Sequence, residues 1–413
     1  MKLPEGWPAR FALICLTAAG TLSLAGCGGS SSSPSTSPPP PTVNNTQPIE
    51  VNLGPLNDYP NGVFTTVTIC VPGTSTCQDI PDVLVDTGSE GLRLLSSQVT
   101  LSLPAITDNS SNQLQECVGF SDGSYVWGPV AAADIAMAGE TASSVPIQLI
   151  DSSNPTTLPV PSACASGGGT NENTVSALGA NGILGIGIFQ QDCGSACTSS
   201  SSSVPSLYYL CPNSVCQVTT VPLTFQLQNP VWMFPQDNNG VLISLPSVPD
   251  TGAPTVSGSL IFGIDTQSNN ALGSAQIYTT DAYGNFQTTY NNIAYSQSFI
   301  DSGSNALYFL DSTTLGIQDC TNNPGFYCPA SPVSYTVTNT GLNGTSGPVT
   351  INVANADALF QANNGLNAAF NNLAGYSGGD FDFGLPFFFG RDVFVGIENM
   401  TGPGGVVGPY WAY

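Results

Sequence analysis

Short runs of β-branched and aromatic residues, bounded by Gly, Pro, Asn, Asp or Ser, recur along most of the chain. Val63 to Val71 (VFTTVTICV), Val83 to Val85, Leu242 to Leu245, Ser259 to Ile264 and Ser334 to Thr338 have this form, and the pattern predicts strands. Helical periodicity is scarce. Ala354 to Ala374 is the best stretch, and it is interrupted by Gly365 and several Asn. Turn residues are abundant, with 45 Gly and 33 Pro in 413 residues, while apolar residues still make up 41%. The pattern predicts a mainly β protein with many tight turns and enough apolar surface for a large core.

One pattern occurs twice. Residues 86–95 read DTGSEGLRLL and residues 301–310 read DSGSNALYFL. Each follows an apolar run, Val83-Leu84-Val85 in the first case and Phe299-Ile300 in the second. Each is followed by two apolar residues and a Gly: Ile183-Leu184-Gly185, then Phe388-Phe389-Gly390. These glycines lie 99 and 89 residues beyond their Asp. Two motifs in the same order at similar spacing predict two homologous lobes. In both copies a Gly (Gly88, Gly303) permits a tight turn and close approach by another chain. Hydroxyls at Thr87, Ser89, Ser302 and Ser304 can satisfy carboxylates and backbone groups in a dry site. If the copies meet at a pseudo-twofold axis, Asp86 and Asp301 come together and share a proton.

Charge narrows the chemistry further. The chain has 27 acidic residues, four basic ones and no His. Catalysis by Ser-His-Asp or Cys-His is excluded, as is zinc held by His. So acidic a surface repels nucleic acid. No cofactor or metal is implied, and carboxylates or hydroxyls must carry any reaction.

Residues 1–27 read as an export signal. Lys2 and Arg10 precede an apolar stretch, Phe11 to Ala25, that is short for a membrane span. Its end, Leu24-Ala25-Gly26-Cys27, resembles the lipobox of bacterial lipoproteins, which implies that Cys27 is lipidated and becomes the first mature residue. Gly28 after it suggests the outer membrane by resemblance to bacterial sorting rules, so the expected location is the cell envelope. Residues 28–49, rich in Ser and Pro, are expected to form a disordered tether. Residues 50–245 and 246–413 are then the two lobes. Loss of the leader leaves 26 acids and two bases, Arg93 and Arg391. Without a mature Lys there is no P-loop and no Schiff base. Ten Cys remain, an even set that reads as disulfides in an exported chain. Cys70/Cys77 and Cys320/Cys328 are expected local pairs, and Cys117/Cys164 a longer one. Cys193, Cys197, Cys211 and Cys216 allow three connectivities, with a four-thiolate zinc site as the competing reading.

Asp86-Thr87-Gly88-Ser89 and Asp301-Ser302-Gly303-Ser304 resemble the two catalytic loops of the pepsin-like aspartic peptidases. Ile183-Leu184-Gly185 and Phe388-Phe389-Gly390 resemble the segments that cross those loops, and Gly258 to Asp265 (GSLIFGID) an early strand of the second lobe. Phe120 to Gly128 (FSDGSYVWG), with Phe120, Asp122, Gly123 and Tyr125, resembles the flap hairpin. The resemblance spans nearly all of the mature chain. It implies a bilobal β fold of barrel-like sheets with a cleft between the lobes, a water held by Asp86 and Asp301, and a monomer acting on a peptide or protein substrate.

The sequence also departs from that family. Phe120 stands at the usual flap Tyr, with Tyr125 as a candidate substitute. Arg93 stands where the first lobe often has Trp. It is expected in a partly exposed ion pair, with Glu90 as a candidate partner, and Arg391 is expected to pair with Asp392 or another local acid. Asp250-Thr251-Gly252 lacks a leading strand and reads as a turn. Asp380 and Asp382 form too short a cluster to predict calcium. The competing function is a catalytically weak pepsin-like scaffold acting as a cell-surface binding module; a glycosidase would not need duplicated loops.

Overall fold

The computed structural model describes residues 44–153, 156–199 and 204–413. The expected leader, Cys27 and most of the expected tether lie outside the described residues. Residues 46–49, expected in the tether, belong instead to a strand, because Gln47, Ile49 and Val51 alternate inward between two partners. No helix among the described residues is long and apolar enough to cross a membrane.

The strands of the first half are β1 (Thr46–Asn52), β2 (Gly62–Cys70), β3 (Cys77–Asp86), β4 (Glu90–Leu95), β5 (Leu114–Gly119), β6 (Tyr125–Met137), β7 (Glu140–Ile150), β8 (Gly182–Ile186), β9 (Tyr208–Leu210), β10 (Gln217–Val218) and β11 (Gly240–Leu245). Those of the second half are β12 (Val256–Phe262), β13 (Ile277–Thr279), β14 (Phe286–Tyr290), β15 (Ile293–Ile300), β16 (Leu307–Phe309), β17 (Val333–Thr340), β18 (Ser346–Val353), β19 (Ala374–Tyr376), β20 (Asp382–Phe383), β21 (Arg391–Gly396) and β22 (Tyr410–Ala412). The helices are short: α1 (Val175–Leu178), α2 (Ser312–Leu315) and α3 (Ala356–Gln361). The helix expected over 354–374 stops at Gln361, because Asn363, Asn364 and Gly365 all take positive φ, which a right-handed helix cannot accommodate.

Fifteen strands form one sheet in the order β10-β9-β5-β6-β7-β4-β8-β3-β2-β1-β12-β11-β21-β22-β13, and an added β6–β2 pairing closes its first part into a barrel. A second sheet has the order β18-β17-β14-β15-β20-β16-β19. β1 bridges the halves by pairing with β2 on one side and β12 on the other. β11, the last strand before the boundary expected at 245/246, pairs only with β12 and β21 of the second half. A continuous core joins Val85, Leu184 and Ile186 of the first half to Ile300, Phe383 and Phe387 of the second. Each such side chain contributes about 1.5–3 kcal/mol on full burial.

Five disulfides staple the loops: Cys70–Cys77, Cys117–Cys164, Cys193–Cys197, Cys211–Cys216 and Cys320–Cys328. The four sulfurs from Cys193 to Cys216 are consumed in two of them, which removes the zinc alternative.

Candidate active site

Asp86 ends β3 and Asp301 follows β15, each where an apolar strand runs out at the lobe interface. In the first lobe β8 runs between the strands flanking the loop, parallel to β3 and antiparallel to β4, with Gly185 opposite Asp86. That is the crossing expected for Ile183-Leu184-Gly185. In the second lobe the equivalent strand is β20, parallel to β15 and antiparallel to β16. The Asp301 N–H donates to the Phe383 carbonyl at 3.1 Å. The second crossing is therefore Asp382-Phe383-Gly384, not Phe388-Phe389-Gly390. The latter lies under β11, where the Gly390 N–H bonds to the Leu245 carbonyl. Gly384 is required because a Cβ there would lie 2.0 Å from the Ala306 carbonyl oxygen.

The two loops interlock about a pseudo-twofold axis. The Thr87 N–H donates to Ser302 Oγ at 3.1 Å, and the Ser302 N–H donates to Thr87 Oγ1 at 2.9 Å. Each hydroxyl then reaches back to the strand of the other lobe, Thr87 to the Ile300 carbonyl at 3.2 Å and Ser302 to the Val85 carbonyl at 2.7 Å. Each glycine makes room for the opposite carboxyl: a Cβ on Gly88 would lie 2.6 Å from Asp301 Cγ, and one on Gly303 2.7 Å from Asp86 Oδ1. Within each loop the glycine N–H donates 2.8 Å to its own Asp Oδ1. Ser89 and Ser304 donate to the outer oxygens of Asp86 and Asp301.

Asp86 and Asp301 are each only 4% exposed, and their carboxyls are hydrogen-bonded to one another. Burial first, and then the charge of Asp301, push Asp86 up to about 7. Burial opposes the charge of Asp301 as well, while hydrogen bonds from Asp86, the Gly303 N–H and Ser304 favour it, and Asp301 lies below the usual carboxylate range. The pair therefore holds a single proton through the mildly acidic range.

Two further carboxyls stand beside the pair. Asp382 is 7% exposed and shares Ser304 with Asp301, its Oδ2 lying 2.7 Å from Ser304 Oγ. Ser304 has one hydrogen for two carboxyls. Asp382 therefore carries a proton and donates to Ser304, which donates to Asp301. Burial, and then the charge of Asp301, hold Asp382 well above its ordinary range, consistent with that state. Glu90 follows the first loop directly, and burial raises it to about 8 against the hydrogen bond it accepts from the Phe189 N–H.

The flap residues form a hairpin. Gly119 pairs with Tyr125 across the β5–β6 turn, the Phe120 N–H bonds to the Ser124 carbonyl, and Asp122 accepts from the Ser124 N–H and hydroxyl at 2.9 and 2.6 Å. Gly123 takes the positive φ that the turn needs. Cys117–Cys164 fastens the base of this hairpin to a glycine-rich loop, which bonds to its tip through Gly169 N–H to the Gly123 carbonyl at 3.0 Å. Tyr125 packs on the cluster of that disulfide with Trp127, whereas Phe120 and Tyr59 each pack against a different cluster, that of Phe64, Val118 and Leu178. Tyr59, unremarked in the sequence, is a phenol that feels the site: burial, then Asp301, Asp86, Asp122 and Glu172, hold its proton well above the usual range.

Both arginines differ from expectation. Arg93 is 1% exposed and pairs with Glu116 at 2.7 Å and Asp192 at 3.3 Å, giving Glu90 only a backbone contact through its carbonyl. Asp192 accepts from Tyr208 at 2.7 Å. Burial, and then the charge of Glu116, push Asp192 well above its ordinary range. The cluster ties β4, just after the Asp86-Thr87-Gly88-Ser89 loop, to β5 of the hairpin. Its members are separated by 23 and 99 residues, and no local motif announces them. Arg391 has no carboxylate partner among the described residues; it lies over the Phe387 ring and donates to the Phe387 carbonyl at 2.6 Å. Asp250-Thr251-Gly252 is a turn closed by the Gly252 N–H on the Pro249 carbonyl.

Residues 41–413 match a family model described as "Protein of unknown function (DUF3443)". No curated protein matches the sequence. Among solved structures, an aspartic proteinase from Irpex lacteus superposes with a TM-score of 0.52 at 14% identity, covering 89% of this chain and 96% of that one. Basic 7S globulin from soybean gives a TM-score of 0.48 at 12% identity over 89% and 96% of the two chains. At such identity the first likeness establishes the fold alone, a bilobal, mainly β, pepsin-like architecture.

Proposed function

The chain belongs to the DUF3443 family, and we propose that it is an aspartic-type endopeptidase in which Asp86 and Asp301 together activate a water against a peptide carbonyl. The observation that carries this reading is the exchange across the interface, in which each catalytic-loop glycine leaves space for the carboxyl of the other lobe. A dyad holding one proton can do both halves of the reaction. The charged carboxylate takes a proton from water as the oxygen attacks, while the protonated one donates to the carbonyl oxygen; as the C–N bond breaks, the carboxyl that took the water proton passes it to the leaving nitrogen, and the other recovers its proton from the hydroxyl that becomes the new carboxyl. The flap hairpin over the cleft would hold an extended peptide and exclude bulk water.

By the same reading the protein acts as a monomer on peptide or protein substrates at the cell envelope. Cys27 carries the lipid anchor, a role supported by Leu24-Ala25-Gly26-Cys27 and the Ser/Pro-rich segment after it. A peptide containing statine, whose hydroxyl-bearing carbon stands where the tetrahedral carbon would form, tests the dyad. It is expected to raise the melting temperature of the wild type and not that of Asp301→Asn. An equal shift in both, or in neither, would remove the reading.

A further inference from the structure

Arg391 is a partly buried cation with no carboxylate partner among the described residues, in a chain of 27 acids. Among the described residues its side chain makes one hydrogen bond, to the Phe387 carbonyl, which uses one of five guanidinium donors. The Phe387 ring lies 4.4 Å below it. Burial weighs against its charge, with only the phenol of Tyr413 opposing. The partly exposed guanidinium thus keeps donors available to an anion.

A cavity of about 310 Å³ opens beside this guanidinium, lined by Phe387 and Phe389 on one side and by Thr350 and Asn352 of β18 on another. None of its lining residues belongs to the Asp86–Asp301 pair. Asn371 also lines it, and its buried side-chain oxygen has no hydrogen-bond partner. β18 is the edge strand of its sheet, so its outer N–H and C=O groups can receive an extended segment.

We propose that this cavity binds the C-terminal residue of a peptide. The terminal carboxylate pairs with the unused donors of Arg391, in the fork geometry that suits guanidinium. The preceding amide N–H supplies the donor that Asn371 lacks, and the side chain rests on Phe387 and Phe389. A fatty acid offers the same carboxylate but no amide donor, so the Asn371 oxygen favours the peptide. The site does not depend on the peptidase reading.

The test uses the full chain carrying Asp86→Asn and Asp301→Asn, so that hydrolysis cannot interfere, titrated calorimetrically with N-acetyl-leucine, N-acetyl-leucinamide and octanoate. N-acetyl-leucine is expected to bind about tenfold or more tightly than its amide, the loss of one charge-assisted pair. Arg391→Met should weaken it by a similar factor. Equal binding of acid and amide, or unchanged binding in Arg391→Met, would overturn the proposal. Octanoate binding more tightly than N-acetyl-leucine would replace the peptide with a lipid acid and equally overturn it. Should Arg391→Met fail to fold, the acid-to-amide ratio on the parent protein decides alone.

Discussion

Thr87 and Ser302 exchange backbone-to-hydroxyl hydrogen bonds across the lobe interface, at 3.1 and 2.9 Å. Both side chains are 2% exposed or less, so removing either leaves a buried N–H without an acceptor. Ser302→Ala and Thr87→Val are each expected to destabilise the protein by about 1–3 kcal/mol. The double variant should cost less than the sum, because the two bonds form one device. Urea unfolding of the four proteins in the cycle measures this; strict additivity would mean that the exchange does not act as a unit.

Asp382 is expected to act through Ser304 on the acid limb of the activity profile. In Asp382→Asn the amide N–H can still donate to Ser304 Oγ, leaving the hydroxyl hydrogen on Asp301. That variant should keep the wild-type acid limb. Asp382→Leu and Ser304→Ala weaken the bond to charged Asp301, which raises its pKa and moves the limb upward by roughly one pH unit. Rate profiles of the three variants decide, and an Asn variant that behaves like the Leu variant would contradict the relay.

The limits of the sequence show at the same residue. Asp-Thr-Gly-Ser and Asp-Ser-Gly-Ser were readable because chemistry demands a fixed local pattern. The crossing strand demands only small size at Gly384 and pairing on both sides, which nothing local announces, and the pattern of two apolar residues and a Gly led to Phe388-Phe389-Gly390 instead. Asp382 stands where the first lobe has Ile183, and nothing local marks a buried polar residue there. The partners of Arg93 were equally hidden, since Glu116 and Asp192 reach it through the tertiary fold alone. Local disulfides such as Cys70–Cys77 were readable because the pair closes a tight hairpin.

The ion cluster of Arg93 predicts an asymmetric response. Arg93→Met leaves two carboxyls buried without their cation and is expected to cost about 3–5 kcal/mol. Adding Glu116→Gln and Asp192→Asn removes the stranded charge and should recover part of that loss. Denaturant midpoints for the single and triple variants test it; a triple variant no more stable than the single would show that packing, not charge, dominates.

Stability should fall as pH rises from about 4 to 8. Folding raises Asp86 to about 7, Glu90 to about 8 and Glu172 to about 7, mainly by burial, and raises Asp382 and Asp192 well above their usual range. The folded state then binds more protons than the unfolded chain, whose carboxyls titrate near pH 4, so the slope of stability against pH is negative over that window. Below about pH 4 the sign reverses, as groups held low, Asp151 and Asp301, become protonated. The melting temperature is expected to peak near pH 4–5 and to be lower at pH 8 by roughly 5–10 °C. Scanning calorimetry at constant ionic strength checks this; a melting temperature that climbs toward pH 8 would mean that the buried carboxyls are charged and compensated.

The central claim is that Asp86 and Asp301 hydrolyse peptide bonds together. The direct measurement is product release from a mixed peptide library in ¹⁸O-water, across acidic to neutral pH, for wild type, Asp86→Asn, Asp301→Asn and the double variant. The account predicts wild-type cleavage with an acidic optimum, one ¹⁸O in each new carboxylate, no dependence on chelators or on serine and cysteine reagents, and loss of activity by at least about 10³-fold in each single variant. Wild type releasing no more product than the double variant at any pH would contradict it.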